Sequence, residues 1–259
     1  MDGHGDLAIG IDVGGSSIKA ALVGTSTGGL QSQRLKIVLP RPSRPAAIMG
    51  AVERVARRLE AKTGRTGLPI GVDVPSVVID GVTKTAANID EGWIDFDLGQ
   101  ALTDALGRPV RVVNDADAAG VAEVRLGAAA GRMGTVLVAT LGTGFGSALF
   151  YNGTLVPNFE LGHMEIRGRP AEARSGAAAR VRRELSWTAW SEDLDEHLRA
   201  IHRIMRPSLI VIGGGVSERA DHFIPRLTVA CEVVPAAFRN DAGLIGAALF
   251  AIESGGRAS

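Results

Sequence analysis

Short apolar runs separated by glycine-rich turns open the chain. Residues 7–13, 18–23 and 34–39 have strand length and strand composition, and predict three consecutive strands in an antiparallel meander. The period then changes. Over residues 44–62, Ile48, Val52, Val55 and Leu59 recur at helical spacing with Arg54, Arg57 and Arg58 on the opposite face. A strand follows at 68–74, stopped at Pro75, then a helix at 96–106, a strand at 110–113 and a helix at 116–127. From residue 135 the plan repeats, with strands at 135–141 and 146–151, a long helical region across 177–205, a strand at 209–212 and a helix at 218–227. Residues 240–252 close the pattern as an apolar helix. Two strand–Gly–strand openings thus begin two similar halves. The predicted domains are a smaller N-terminal α/β domain, residues 1–113 with 241–259, and a larger C-terminal α/β domain, residues 114–240.

Composition narrows the function class. A chain of 259 residues with 46% apolar positions can bury a substantial core. Its formal net charge is zero, so no global field draws it to nucleic acid or to an anionic membrane. The single cysteine, Cys231, leaves no internal disulfide and no cysteine-based zinc cluster, and fits a reducing cytoplasm as a small buried hydrophobe. Neither a leader pattern nor an apolar run of about 18 residues is present, so no membrane partner and a cytoplasmic location are expected. With the first strand starting at Leu7, no DNA-binding module is expected before it.

Two distant stretches read as halves of one phosphate site. In the first, Asp12 ends a strand before Gly14, Gly15, Ser16, Ser17 and Lys19; in the second, Thr140 leads into Gly142, Thr143, Gly144 and Gly146. Glycine permits positive φ and close approach of the backbone to an anion, and turn amides and hydroxyls donate to phosphate oxygens. A carboxylate at Asp12 can hold hydrated Mg²⁺, directly or through water. The same residues also suit an ordinary hairpin turn. Asn114 and Asp115 follow a strand and open a helix, where negative charge is favoured by the helix dipole. Asp115 there suits a general base for an alcohol proton, with a helix N-cap as the plainer alternative. Glu160, His163 and Glu165 crowd into six residues and suit the vicinal hydroxyls of a sugar. Gly213, Gly214 and Gly215 form another strand-to-glycine turn, able to admit a flat base or polyphosphate to the backbone.

These motifs together resemble the ROK family of sugar kinases, of the actin/hexokinase-like (ribonuclease H-like) superfamily. Within it, the stretches 85–89 with Trp93, 114–119, 157–165, 186–190 and 234–236 are most similar to polyphosphate glucokinases. The resemblance implies a two-domain α/β fold with mixed sheets and a sugar cleft between the domains. It implies glucose 6-phosphorylation with polyphosphate, ATP or both as donor, Mg²⁺ as cofactor and a homodimer. Asp115 would match the catalytic base, Asn114, Glu160 and His163 the sugar ligands, with Asn88 and Glu165 as further candidates. Asp12, Gly14, Gly15, Ser16, Ser17 and Lys19 would match the first phosphate motif, Thr140, Gly142, Thr143, Gly144 and Gly146 the second, and Gly213, Gly214 and Gly215 the nucleotide-side loop. An ATP-only ROK hexokinase acting on mannose or an N-acetylated amino sugar, and a non-catalytic ROK sugar sensor, are the alternatives.

Some positions depart from the family pattern. Many ROK proteins carry a cysteine-rich zinc loop after the Gly-His pair, whereas residues 167–184 hold no cysteine, so no zinc site is expected. Ser76 stands where the family usually has glycine, and Phe145 and Phe159 replace smaller residues. In place of the zinc loop are six arginines (Arg167, Arg169, Arg174, Arg180, Arg182 and Arg183) against two glutamates. Forked guanidinium donors suit phosphate oxygens, so this stretch is a candidate guide for polyphosphate; a solvated helix face with an Arg180–Glu184 pair is the plainer alternative.

Overall fold

The computed structural model describes residues 6–40, 43–86 and 90–253. Strands β1 (Leu7–Val13), β2 (Ser17–Gly24) and β3 (Leu35–Val38) form the meander, followed by helix α1 (Pro45–Thr63) and strand β4 (Ile70–Val74). Three two-residue strands, β5 (Val78–Ile79), β6 (Val82–Thr83) and β7 (Phe96–Asp97), make a small antiparallel sheet. Helix α2 (Leu98–Leu106), strand β8 (Val110–Asn114) and helix α3 (Asp115–Arg125) complete the first half. Then come β9 (Thr135–Leu141), β10 (Phe145–Tyr151), β11 (Thr154–Val156) and the β12 (Glu165–Ile166)–β13 (Arg169–Pro170) ribbon. Helices α4 (Glu172–Ser175), α5 (Ala177–Arg182) and α6 (Trp187–Met205), strands β14 (Leu209–Gly213) and β15 (Glu232–Pro235), and helix α7 (Ala242–Ile252) follow. The chain divides into two compact units, Met1–Val121 with Gly243–Ser259, and Ala122–Ala242.

Each unit is built on one five-stranded mixed sheet, and the two sheets share a topology. In β3-β2-β1-β4-β8 and in β11-β10-β9-β14-β15, an antiparallel meander supplies one side and two parallel strands the other. The repeat read from the sequence is therefore a repeat of strand order.

In the first unit, α1 lays Ile48, Val52, Val55 and Leu59 onto the sheet, all at most 1% exposed. Helix α7 is apolar on every side because it is enclosed. A Cβ added at Gly10 would lie 2.0 Å from Leu244 O, and one at Gly71 would lie 1.8 Å from Ala247 O. Those two strand glycines let the helix backbone rest directly on β1 and β4. The second unit's core joins Leu137, Ala139, Ile210 and Ile212 of its sheet to Trp190, Leu194, Leu198 and Ile201 of α6.

Several sequence-based boundaries shift for local reasons. The predicted helix over 177–205 is interrupted at Arg183–Ser186: Glu184 takes φ 51°, and Ser186 caps a new helix by accepting from Ala189 N at 3.1 Å. The predicted helix at 218–227 is instead 3₁₀ structure, Gly215–His222 and Ile224–Arg226, because Arg219 is non-helical and Pro225 blocks continuation. Phe96 and Asp97 pair as a strand, and Asp97 caps α2 through Gln100 N at 2.9 Å. Among the described residues, no helix is long and apolar enough to cross a membrane.

Candidate active site

In the first unit, register places Asp12 on β1 opposite Lys19 on β2, and Lys19 Nζ lies 2.7 Å from Asp12 Oδ2. The lysine side chain is 39% exposed, so the pair is worth little on its own. Gly14 N donates to Ser17 O at 3.0 Å, which makes the loop a tight hairpin turn with Gly15 and Ser16 exposed at its tip. Leu39 N bonds Ser16 O at 2.9 Å and Ser43 Oγ bonds Gly15 O at 3.2 Å. The hairpin-turn reading of this stretch is what the backbone shows. Ser17 begins β2, opposite Val38.

The end of β8 is organised by Asn114, which is 7% exposed. Its Oδ1 accepts from Ala116 N at 2.8 Å and Asp117 N at 3.1 Å, and its Nδ2 donates to Ser76 O at 3.1 Å. Asn114 is therefore the N-cap of α3, with one Nδ2 hydrogen left for another acceptor. Asp115, the first residue of α3, is exposed, with one carboxylate oxygen 2.8 Å from Ala116 N. Ser76 Oγ donates to Thr85 O at 2.8 Å, so the hydroxyl that replaces the expected glycine staples two turns beside Asn114. Asn88 lies outside the described residues.

One carboxyl here was not singled out from the sequence. Asp73 on β4 is the register partner of Asp12, fully buried, and neither of its oxygens has a hydrogen-bond partner among the described residues. Burial pushes it well above the usual carboxylate range; the charges of Asp12 and Asp115 add to this and Lys19 opposes it. An aspartate inside an apolar strand pattern carries no spacing signal, so only strand register reveals it.

In the second unit, register sets Thr140 opposite both Gly146 and Gly213, bringing the glycine turns after β9 and β14 side by side. Gly142 N bonds Gly144 O at 3.1 Å, and Gly142 and Thr143 are exposed. The expectation of positive φ in these loops holds, among the described residues, only at Gly214, with φ 80°. There an added Cβ would meet Leu141 O at 2.4 Å. Over Gly142 the space is open, so that glycine leaves room on the solvent side. Gly213 ends β14, and Gly215 opens a 3₁₀ turn in which Ser217 Oγ donates to Gly214 O at 2.7 Å.

Helices α4 and α5 back this loop. Phe145 N donates to Glu172 Oε2 at 3.2 Å, and Ala178 N donates to Gly142 O at 2.9 Å. Phe145 itself turns inward, 2% exposed and 4.3 Å from the His197 ring, so its bulk sits in the core. Ser147 Oγ donates to Phe159 O and accepts from Leu161 N at 3.0 Å, fixing both sides of Glu160. Glu160, His163 and Glu165 are exposed, and His163 Nε2 lies 3.8 Å from Glu172 Oε1. Behind them, His197 is 1% exposed, with Nε2 3.0 Å from Leu161 O and Nδ1 2.8 Å from Ser175 Oγ. Burial lowers its pKa to about 4, against the pull of the Leu161 carbonyl and Glu172. The partners assign a neutral ring that donates from Nε2. His197 lies inside the predicted helical region and Glu172 just before it, neither in a motif, and their roles come from contacts far along the chain.

Residues 8–178 match the model of the ROK family. The chain is 41% identical to a polyphosphate glucokinase of Mycobacterium tuberculosis, over 94% of this chain and 90% of that one. The crystal structure of an inorganic polyphosphate/ATP-glucomannokinase from Arthrobacter sp. superposes with a TM-score of 0.87 at 45% identity, covering 95% of this chain and 98% of that one. A ROK glucokinase from Streptomyces griseus, solved with glucose and AMPPNP, shares the fold at 22% identity, with a TM-score of 0.78 and coverage of 93% and 98%. By the family match and by relatedness along nearly its whole length, the chain belongs to the ROK family.

Proposed function

We propose that the protein phosphorylates glucose at its 6-hydroxyl, with inorganic polyphosphate or ATP as donor. The carrying observation is 41% identity to the mycobacterial polyphosphate glucokinase over 94% of the chain. The geometry of each unit is consistent with it. In the first, Asp115 stands exposed at the start of α3, its backbone fixed by the Asn114 cap, and accepts the proton of the attacking sugar hydroxyl. In the second, Glu160 and His163 bind sugar hydroxyls from a segment that Ser147 and His197 hold in place. The exposed turn residues Gly15, Ser16 and Thr143 offer backbone amides to donor phosphates.

Magnesium fits the first loop in a limited way. Among the described residues, no group of three or more His, Cys, Asp and Glu side chains is placed to hold a metal. Mg²⁺ needs only one or two carboxylates when it keeps its waters and takes phosphate oxygens, and Asp12 supplies one. When bound, the ion offsets the negative charge of the transferring phosphoryl group. A homodimer belongs to the same reading and rests on the family resemblance, while a cytoplasmic location rests on the single cysteine, Cys231; light scattering on the purified protein tests the first.

The deciding experiment is glucose phosphorylation with Mg²⁺, run in parallel with ATP and with long-chain polyphosphate. Glucose 6-phosphate from either donor supports the proposal, and none from both overturns it. Mannose as a parallel acceptor separates a glucokinase from a glucomannokinase.

A further inference from the structure

The six arginines of residues 167–183 occupy different surroundings. Arg180 lies 4.0 Å over the Trp187 ring and donates to Leu185 O at 3.2 Å, in place of the expected Arg180–Glu184 pair. Arg182 donates to Ala173 O at 3.0 Å. These two fasten α5 to its neighbours. Arg167 Nε and Arg174 Nη1 each lie 2.8 Å from Glu196, Arg183 Nη1 lies 2.6 Å from Asp193, and Arg174 Nη2 also bonds Asp193. Arg169, on β13, is exposed and forms no ion pair among the described residues.

Arg167, Arg169, Arg174 and Arg183, with Ala173, line a cavity of about 310 Å³ that no carboxylate lines. Three of these guanidinium groups share two carboxylates, and the fourth has none. The wall thus carries excess positive charge on a chain whose net charge is zero. Each guanidinium has five N–H donors in a fixed fork, so a pair with Asp193 or Glu196 orients the group and leaves donors for another acceptor. Asp193 is 8% exposed, which makes these orientations firm. The cavity is also tied to the phosphate loop. Helix α4, which carries Arg174, begins at Glu172, the acceptor for Phe145 N, and α5, which leads to Arg183, is tied by Ala178 N to Gly142 O.

We propose that this cavity is a second anion site, which holds phosphates of a polyphosphate chain remote from its reacting end. The proposal rests on the polyphosphate reading above. ATP has no phosphates beyond its reacting group and the two behind it, so the site discriminates between the donors. It narrows the basic stretch to four arginines and assigns Arg180 and Arg182 to structure.

Arg169→Glu tests it, because Arg169 has no ion pair for the fold to lose. Expected are an unchanged Tm, unchanged KM for ATP and glucose, and a KM for long-chain polyphosphate raised roughly tenfold, with a smaller rise for tripolyphosphate. Arg169→Lys restores part of the affinity. An unchanged KM for long-chain polyphosphate, or an equal rise for ATP, overturns the site. Equilibrium binding of fluorescently labelled long-chain polyphosphate separates the two readings. If the wild type turns over ATP but not polyphosphate, the donor reading fails. Weaker binding by Arg169→Glu then still supports the anion site, and equal binding overturns it as well.

Discussion

Asp12 and Asp73 hold the same register position on adjacent parallel strands, but only Asp12 has a cation, Lys19, at hydrogen-bond distance. Asp73 is buried with both oxygens unpartnered among the described residues, on the strand between β1 and β8. Its pKa is raised in the fold, so the native state binds a proton more tightly than the unfolded chain does. That cost is absent below the unfolded value near 3.8 and grows as pH rises from there. Asp73→Asn keeps the shape and removes the ionisation. It is expected to be more stable than the wild type at pH 7, with a wider gap at pH 8 than at pH 5. Urea denaturation at the two pH values checks this. Asp73 lies beside two candidate site carboxylates, so turnover is expected to fall in the same variant.

Asp115→Asn tests the base directly. Asn114 makes the cap, so the substitution leaves the N-terminus of α3 hydrogen-bonded and the fold intact. Turnover is expected to drop by about 10²–10⁴ while glucose affinity, measured by calorimetry, stays within a few-fold. Near-normal turnover would remove Asp115 from the mechanism.

His197 gives an acid limb to stability. Its folded pKa of about 4 lies below the ordinary 6.5, so the unfolded chain takes up the proton first as pH falls. No cost exists above 6.5, and stability drains away between there and about 4, by roughly 3 kcal/mol in all. His197→Gln is expected to show a shallower decline over that window in thermal melts. Since His197 braces Leu161, the wild type's sugar affinity is expected to weaken along the same limb.

How much was legible follows from the range of the interactions. The strand meander, the α1 face and the repeated plan rest on local periodicity, and β1, α1 and β9 appear where the pattern places them. The break at Glu184 and the 3₁₀ turns at Gly215–His222 depend on single residues inside an otherwise helical pattern. Asp73, Glu172 and His197 were invisible because their roles come from partners brought near by the fold: Asp12 across two strands, Phe145 N across 27 residues, and Leu161 across 36. Glu123 is a further case, a fully buried carboxylate that accepts from Ala237 N at 3.0 Å and Phe238 N at 2.8 Å.

Two glycines of neighbouring loops are expected to separate folding from phosphate binding. Gly214 has φ 80° and a carbonyl where its Cβ would go, so Gly214→Ala is expected to cost at least about 2 kcal/mol and to lower the Tm by several degrees. At Gly142, φ is ordinary and nothing lies within 4 Å of an added Cβ, so Gly142→Ala is expected to melt within about a degree of the wild type. A methyl group there takes up open space on the turn where a donor phosphate would rest. The KM for the donor should therefore rise in Gly142→Ala while glucose affinity holds. Melting curves together with donor and glucose titrations on the two variants make the comparison. If Gly142→Ala turns over both donors at wild-type KM, the turn between β9 and β10 is a hairpin and nothing more.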